Sequence, residues 1–220
     1  MSYNVSLPSY SVGTDVYKLV GSICAGYGHK AVAIGGHKAM AAVKDKLCKA
    51  IIDSDIEISD FIWYGGEASY ENVENLMSLE TVRNADMLFA IGGGKATDTV
   101  KTLADMTGKP VFTFPTIASN CSSCTSVSIM YKNNGIFLKP HFFANPPAHA
   151  FIDTEIIADS PKRYMWAGIG DTYAKHFESS ISSRGEEVPH YIALGVNIAR
   201  MCYEPMLKYG RKALEDIEKH

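Results

Sequence analysis

Three consecutive glycines, Gly92 to Gly94, stand between an apolar run over residues 87–91 and a helical pattern of apolar residues over 97–104. The apolar run predicts a buried strand, so the glycines form a turn from a strand into a helix. Glycines leave the backbone unobstructed, and the N–H groups and positive dipole end of the helix face the turn. The turn therefore predicts a diphosphate site. A simple tight turn is the weaker alternative, because three glycines exceed what a turn requires.

The position of the lysine after the glycines distinguishes between classes of phosphate-binding motif. Lys95 follows Gly94 directly, without the four-residue spacing and the Lys-Ser/Thr ending of a Walker P-loop. The pattern Gly-Gly-Gly-Lys-x-x-Asp, which ends at Asp98, is also more specific than a lone Gly-x-Gly-x-x-Gly. We therefore expect the turn to hold the pyrophosphate of a dinucleotide.

Strand and helix patterns alternate over residues 1–159, which is typical of a mainly parallel sheet with helices on both faces. The turn Asn133-Asn134-Gly135 between alternating residues predicts a β-hairpin beside that sheet. Residues 1–159 are therefore predicted to form a Rossmann-like, dinucleotide-binding α/β domain. The predicted strands cover 31–34, 56–64, 87–91, 111–114 and 148–152, with one helix after each of the first three.

The pattern becomes helical over residues 160–220, apart from a break at 185–189. Ser160 is the expected N-cap of the first helix there, with Pro161 in its first turn. We therefore place a domain boundary near residue 159 and interpret 160–220 as the start of an all-α domain.

Composition limits the classes of partner. The net charge of −3 and the pI of about 6.2 provide no basic field for nucleic acid or an anionic membrane. No apolar run approaches the roughly 20 residues that cross a bilayer, and residues 1–4 do not begin a signal peptide. Five cysteines suit a reducing compartment. A cytoplasmic protein with small-molecule partners is expected.

Cys121 and Cys124 form a Cys-x-x-Cys pattern, which can indicate redox chemistry or half of a metal site. One such pair cannot complete a four-ligand zinc site. The βαβ opening of a thioredoxin-like motif is not present around it. The sequence therefore favours two thiols that line a pocket.

The run from Gly92 to Lys101 resembles the cofactor motif of the iron-containing alcohol dehydrogenase superfamily, in its glycerol dehydrogenase branch. Residues 115–120 and the strand 126–131 are similar to that branch's loop and hairpin around the nicotinamide. The stretch from Gly168 to Asp171 is similar to the helix that supplies an aspartate metal ligand. The resemblance extends in order over essentially the whole chain.

This resemblance implies a metal-dependent NAD(P) oxidoreductase that transfers hydride between the nicotinamide and an alcohol or carbonyl substrate. Zn²⁺ or Fe²⁺ would polarise the substrate oxygen as a Lewis acid, and the full-length protein would be a homo-oligomer. Asp171 is the implied metal ligand and catalytic residue; from the residues alone it is expected to pair with Lys175 or with the helix N-terminus. The implied cofactor contacts are Gly93, Gly94, Lys95, Asp98, Thr116, Ser119, Thr125, Val127 and Tyr131.

Two departures from the family pattern concern the ligands. Cys121 occupies the position of an aspartate that contacts the polyol in glycerol dehydrogenases, and it resembles a group that reduces 2-oxo acids. We therefore expect an alcohol or a 2-hydroxy acid at Cys121. Gly36, His37 and Lys38 replace the aspartate that binds the adenosine ribose in NAD-using relatives, which slightly favours NADP(H). A Lys38 that is merely solvated at a helix start is equally compatible.

A third departure concerns the metal. The family draws two histidine ligands from a helical region beyond residue 220. His176 lies about 140° around the helix from Asp171, and His190 and His220 have no ligand-like neighbours one turn on. The 220-residue chain is therefore expected to hold no catalytic metal and to be inactive by itself, as a fragment or shortened form of a longer protein.

Two other functions stay open. A dehydroquinate-synthase-like lyase shares a Gly-Gly-Gly turn and a metal-bearing helical domain, although residues 115–119 and 167–171 look more like those of dehydrogenases. The second is a truncated, inactive fragment that binds nucleotide. A net change in NAD(P)H on substrate addition would distinguish a dehydrogenase from the lyase. Cofactor binding without turnover would support the fragment.

Overall fold

The computed structural model describes residues 4–185 and 187–216, and the chain divides into two compact units. The α/β unit comprises residues 6–117 and 121–157. The helical unit comprises 118–120, 158–220 and the residues up to 5, as far as they are described. The division falls after Ile157, two residues before the predicted boundary, and the membership of 118–120 in the helical unit was not predicted.

A six-stranded sheet forms the centre of the α/β unit. Its strands are β1 (Tyr10–Gly13), β2 (Lys30–Gly35), β3 (Glu57–Trp63), β4 (Met87–Gly92), β5 (Val111–Pro115) and β8 (His149–Asp153). They pair in parallel in the order β1-β8-β5-β4-β2-β3. Strands β4 and β5 are buried at every residue because helices cover both faces of the sheet. The predicted Rossmann-like α/β fold is confirmed.

Helices cover the two faces with separate apolar cores. On one face, α1 (Val20–Cys24), α2 (His37–Ala50) and α6 (Thr154–Ala158) bury residues such as Val43 and Leu47 against Phe89 and Phe112. On the other, α3 (Tyr70–Met77), α4 (Glu80–Asn84) and α5 (Gly94–Thr107) bury their apolar residues against Val32 and Leu88. As predicted, α5 ends at Gly108, whose φ of 67° is left-handed.

Two local predictions were wrong, and two segments were missed. The single helix predicted after β3 is two helices, α3 and α4, because the Ser78 hydroxyl donates to the Asn75 carbonyl at 2.6 Å and Leu79 is extended. The helix after Ser160 begins at Lys162 with Pro161 at the N-cap. The short strand β1 and the helical segment over 16–27 were not predicted, since glycines interrupt the pattern there.

The hairpin and the last two helices complete the chain. Strands β6 (Val127–Tyr131) and β7 (Phe137–Phe142) form a separate antiparallel pair, and Gly135 takes a φ of 80° in the predicted turn. In the helical unit, α7 (Lys162–Ser182) and α8 (His190–Asp216) pack through Tyr173, His176 and Phe177 around Tyr203. None of the helices in the described part of the chain has the length and hydropathy needed to cross a membrane.

The buried thiol of Cys24 is expected to make the fold sensitive to alkaline pH. Burial raises its pKa from 9.0 to about 12, so above pH 9 the unfolded chain loses this proton and the folded chain keeps it. Stability is then complete below pH 9 and falls by about 1.4 kcal/mol per pH unit as the pH rises towards 12. Urea unfolding at about pH 8 and about pH 10 should show a larger loss in the native chain than in Cys24→Ala, in which other buried groups with a raised pKa, such as Tyr17, still titrate.

The matched control is Cys48→Ala, because Cys48 is exposed on α2. This variant should retain the alkaline loss of stability. Equal pH dependence in Cys24→Ala and Cys48→Ala would show that the buried thiol is not its source.

Candidate functional site

The sheet contains a reversal of strand order between β2 and β4. The chain leaves β2 through α2, on one face, and continues to the edge strand β3. It leaves β4 through α5, on the opposite face, and continues to β5 on the other side. In parallel α/β sheets, ligands bind in the crevice outside the carboxyl ends of the two strands where the order reverses. The fold therefore places the candidate site at Gly35–Gly36 and Gly92–Gly94.

These glycines are required by close approach of the backbone. A Cβ on Gly35 would overlap the carbonyl oxygen of Ile91 and lie 3.0 Å from its carbonyl carbon. Gly92 has a φ of 140°, which side chains rarely adopt. A Cβ on Gly93 would lie 2.5 Å from Cδ1 of Ile117. Because these residues are glycines, they place no side-chain atoms in the crevice at the ends of β2 and β4.

Two helices begin at this crevice. Both α2 and α5 have 14 residues, with Gly36 and Gly93 at their N-caps. Among the described residues, no side chain caps either N-terminus. The first N–H groups of both helices are thus available to an anion, and their dipoles favour negative charge there.

Lys95, in the first turn of α5, is paired with a carboxylate. Its Nζ lies 2.6 Å from Oε2 of Glu67, and the lysine side chain is 57% exposed against 12% for the glutamate. The hydrogen bond to Glu67 raises the pKa of Lys95 above its ordinary value. Glu67 also accepts a hydrogen bond from the Asn72 side chain at its carbonyl. Part of the positive charge at the turn is therefore balanced by a fixed neighbour.

Asp98, one turn further along α5, is held by protein groups. Its Oδ1 accepts from the Ser122 hydroxyl at 2.6 Å and lies 3.0 Å from Nζ of Lys101, while Oδ2 accepts from the Ile129 N–H at 3.0 Å. Lys101 is 1% exposed and also donates to the carbonyls of Ser122, Thr125 and Val127. Burial lowers the pKa of Lys101, and the charge of Asp98 opposes that effect. This pair fastens α5 to the 122–129 segment.

The other predicted cofactor contacts follow β5 and line the hairpin. Thr116 is buried at the end of β5, and its N–H donates to the Gly92 carbonyl at 3.4 Å. Tyr131 ends β6, donates its N–H to the Ala68 carbonyl at 2.7 Å and packs edge-on against Phe137. Thr125 and Val127 direct their carbonyl oxygens to Lys101. These residues of the α/β unit therefore surround α5 and the Gly93 turn.

An aromatic pair lies beside the Gly36 turn. The imidazole of His37, at the start of α2, stacks on the indole of Trp63 at the end of β3, with ring centroids 5.6 Å apart and 13° between the planes. His37 and Lys38 are exposed. The stack closes one side of the turn with flat, polarisable surface, which suits contact with an aromatic base or its ribose.

The three remaining predicted site residues, Ser119, Cys121 and Asp171, do not all belong to the same unit. Ser119 belongs to the helical unit, in the 118–120 segment, while exposed Cys121 begins the second part of the α/β unit. Asp171 lies in α7, is 35% exposed and pairs with Lys175 at 3.7 Å. Lys175 also contacts Glu178 at 2.9 Å. The pairing of Asp171 with Lys175 agrees with the expectation from the residues alone.

The described residues do not form a metal centre. No group of three or more His, Cys, Asp or Glu side chains within 4–185 and 187–216 is arranged to hold an ion. His176 stacks on Tyr203, with ring centroids 4.6 Å apart, and His190 begins α8. His220 lies outside the described residues. The donor set present around Asp171 therefore does not fit a catalytic metal by itself.

Four residues of the site were not predicted: Glu67, Trp63, Lys101 and Ser122. Lys101 was noted in the helical pattern and at the end of the cofactor-motif run but was given no site role, although a lysine on the apolar side of α5 indicates a buried partner. Glu67 follows Gly65 and Gly66, which marks a loop at the end of β3. The pairing of Glu67 with Lys95 spans 28 positions and has no local signal.

A match to a protein-family model identifies the family of the chain. The model of the family "Iron-containing alcohol dehydrogenase" matches residues 8–154. The chain belongs to this family. Its match includes the α/β sheet, the Gly92–Gly94 turn and the hairpin.

Individual relatives agree with this membership. The chain is 39% identical over 160 residues to a glycerol dehydrogenase of Thermotoga maritima, which covers 70% of this chain and 43% of that protein. It is 32% identical to hydroxycarboxylate dehydrogenase A of Escherichia coli, over 85% of this chain and 51% of the relative. A probable glycerol dehydrogenase from Sinorhizobium meliloti has a similar solved structure, with a TM-score of 0.84, 25% identity and coverage of 100% and 61%. The chain thus spans about half the length of the curated relatives that it matches.

Proposed function

We propose that this chain is the nucleotide-binding part of a metal-dependent NAD(P) oxidoreductase that transfers hydride between the nicotinamide and an alcohol or 2-hydroxy acid. The observation that carries the proposal is the meeting of two uncapped helix N-termini at the β2–β4 strand reversal. Family membership and relatives named as dehydrogenases support it and favour a dehydrogenase over a lyase.

The predicted cofactor contacts form three groups, one for each part of the dinucleotide. Gly93, Gly94 and Lys95 would bind the pyrophosphate, and Gly36, His37 and Lys38 would bind the adenosine end. The nicotinamide, which supplies or accepts the hydride when bound, would lie towards Thr116, Thr125, Val127 and Tyr131. Ser119, in the helical unit, is a further contact that the family resemblance implies. Asp98 acts as a positioning residue, because both its oxygens are engaged by Ser122, Lys101 and Ile129.

The proposal limits what this chain does by itself. Asp171 would supply one metal ligand, and the described residues around it do not complete a set. The chain is expected to bind NAD(P) without turnover, in a cytoplasmic protein that takes a small alcohol or hydroxy acid at Cys121, binds neither nucleic acid nor membrane, and is a homo-oligomer when full length.

Lys95 provides the direct test of the pyrophosphate site. Calorimetry should show NADPH binding to the native chain and about tenfold weaker binding to Lys95→Met, since a charge-assisted contact contributes about 1.5 kcal/mol. Glu67→Gln should strengthen binding about threefold, because it releases Lys95 from its 2.6 Å pair.

Lys49→Met is the matched control. Lys49 lies in the last turn of α2, at the opposite end of the helix from Gly36, and its loss removes the same charge from the protein. The affinity of this variant should be unchanged. Equal losses in Lys49→Met and Lys95→Met would mean that only net charge matters, and the absence of any NAD(P) binding by the folded native chain would refute the proposed function.

The choice between NADP(H) and NAD(H) is tested by Gly36→Asp. Gly36 has φ and ψ of −80° and 145°, suitable for an aspartate N-cap, and a Cβ there meets only Cε1 of Tyr64 at 3.8 Å. The added carboxylate should repel the 2′-phosphate and weaken NADPH binding at least tenfold, or about 1.4 kcal/mol, while NADH binding is retained or improved. A native chain that already binds NADH more tightly than NADPH would refute the predicted preference.

A further inference from the structure

The segment 121–124, named here the thiol turn, brings two cysteines together. The N–H of Cys124 donates to the carbonyl of Cys121 at 3.0 Å, which closes a 3-10 turn over Ser122–Cys124. A hydrogen bond between residues i and i+3 is the mark of a turn whose Cα atoms lie within about 7 Å. Disulfides require Cα atoms about 4.4–6.8 Å apart. The backbone of the thiol turn is therefore close to the geometry that a Cys121–Cys124 bridge needs.

The turn is held in this conformation by its neighbours. Nζ of Lys101 donates to the Ser122 carbonyl at 2.8 Å, and the Thr113 hydroxyl donates to the Ser123 carbonyl at 2.9 Å. The Ser122 hydroxyl is bonded to Asp98 at 2.6 Å. These bonds go to the two residues between the cysteines and therefore position the turn.

The two sulfur atoms differ in exposure and share a cation. Both side chains are thiols in this structure; Cys121 is exposed and Cys124 is half-buried. Burial raises the pKa of Cys124, and the Ser123 hydrogen bond and the charge of Lys101 act in the opposite direction. Burial also lowers the pKa of Lys101, which Asp98 and then both cysteines oppose. The charge of Lys101 therefore offsets part of the effect of burial on the Cys124 thiol, and it interacts with both cysteines.

We propose that the thiol turn is a site of reversible oxidation, at which hydroperoxides convert Cys121 and Cys124 into a disulfide. The exposed thiolate of Cys121 attacks the peroxide, the O–O bond breaks, and one water or alcohol leaves with the Cys121 sulfenic acid formed. The Cys124 thiolate then attacks that sulfur and the S–O bond breaks, and the hydroxide leaves as water with the proton that Cys124 has lost. A dithiol reductant reverses the reaction by exchange.

Sequence spacing alone favoured two pocket-lining thiols, and three structural facts change that balance: the closed turn, its anchoring and the shared cation. The inference does not depend on the proposed dehydrogenase activity. Its consequence for the protein is that an oxidant would alter the segment where Cys121 is predicted to meet the substrate.

The test uses the folded chain, hydrogen peroxide and mass spectrometry. After brief exposure, remaining thiols are alkylated and the chain is digested with trypsin; the peptide that ends at Lys132 contains only these two cysteines. We expect this peptide to lose two hydrogens and to resist alkylation until dithiothreitol is added. Loss of alkylation at exposed Cys48 and Cys202 should be at least about tenfold slower.

Two variants separate the steps. In Cys124→Ser the reaction should stop at the Cys121 sulfenic acid, which dimedone traps, whereas Cys121→Ser should leave Cys124 as slow as Cys48. The proposal is overturned if the native chain forms no Cys121–Cys124 disulfide, if Cys121 is overoxidised while Cys124 stays alkylatable, or if all exposed thiols react at equal rates. These readouts need neither bound cofactor nor turnover, so they are independent of the proposed function.

Discussion

Replacing Gly168 with alanine is expected to destabilise the helical unit by about 3 kcal/mol or more, the largest effect of any single methyl group considered. A Cβ at this position in α7 would overlap the carbonyl oxygen of Ala118 and lie 2.9 Å from its carbonyl carbon. Both atoms belong to the backbone of the 118–120 segment, which cannot yield by a side-chain rotation. Urea denaturation followed by circular dichroism at 222 nm, a helix signal, measures the loss.

Gly170→Ala is the matched control, two residues away in the same helix. Nothing lies within 4 Å of a Cβ built on Gly170, so the substitution should stabilise α7 by up to about 1 kcal/mol through helix propensity. The two substitutions are therefore expected to change the free energy of unfolding in opposite directions. If Gly168→Ala and Gly170→Ala have similar stabilities, the packing of 118–120 on α7 is not as described.

Replacing Asp98 with asparagine is expected to cost about 3 kcal/mol of stability. The change leaves the ammonium of Lys101, which is 1% exposed, without its carboxylate partner at 3.0 Å. It also weakens the acceptor for the Ile129 N–H at 3.0 Å. Hydrogen exchange should therefore accelerate at Ile129, in addition to the loss seen by denaturation.

Two further variants distinguish this buried pair from an ordinary loss of charge. Asp105 lies on the same helix as Asp98, is 44% exposed and pairs with His141 of β7. Asp105→Asn should cost less than about 1 kcal/mol. The double variant Asp98→Asn/Lys101→Met should recover part of the loss of Asp98→Asn, because no uncompensated buried charge remains. A double variant with the summed cost of both single changes would refute the pairing.

The strands of the central sheet could be predicted because burial on both faces makes their apolar runs continuous, as in residues 87–91. The end of α5 could be predicted because Gly108 takes a left-handed conformation that glycine adopts readily. The four-residue strand β1 has no buried apolar run and is set by its pairing with β8, about 140 positions away in the chain. Signals that depend on distant partners are absent from local sequence.

The same distinction applies to the candidate site. The Gly92–Gly94 turn is a local pattern, and its place beside Gly35 and Gly36 follows from the parallel sheet. Asp98 was predicted to contact the cofactor, and its engagement with Ser122 and Ile129 depends on the position of the hairpin segment, 24 to 31 residues later. The partner of Lys95 likewise follows from the loop after β3. The sequence therefore shows which residue types are present in the site. It does not show which distant residues they contact.

Helix α5 is one continuous helix whose first two turns contact different parts of the α/β unit. Its first turn presents Gly94 and Lys95 to the crevice, and its second carries Asp98 and Lys101, which fasten the 122–129 segment. We therefore expect a ligand bound at the first turn of α5 to restrain also the segment that contains part of the thiol turn. Substitutions in the two regions should accordingly show energetic coupling, so that neither can drift freely while the other is kept.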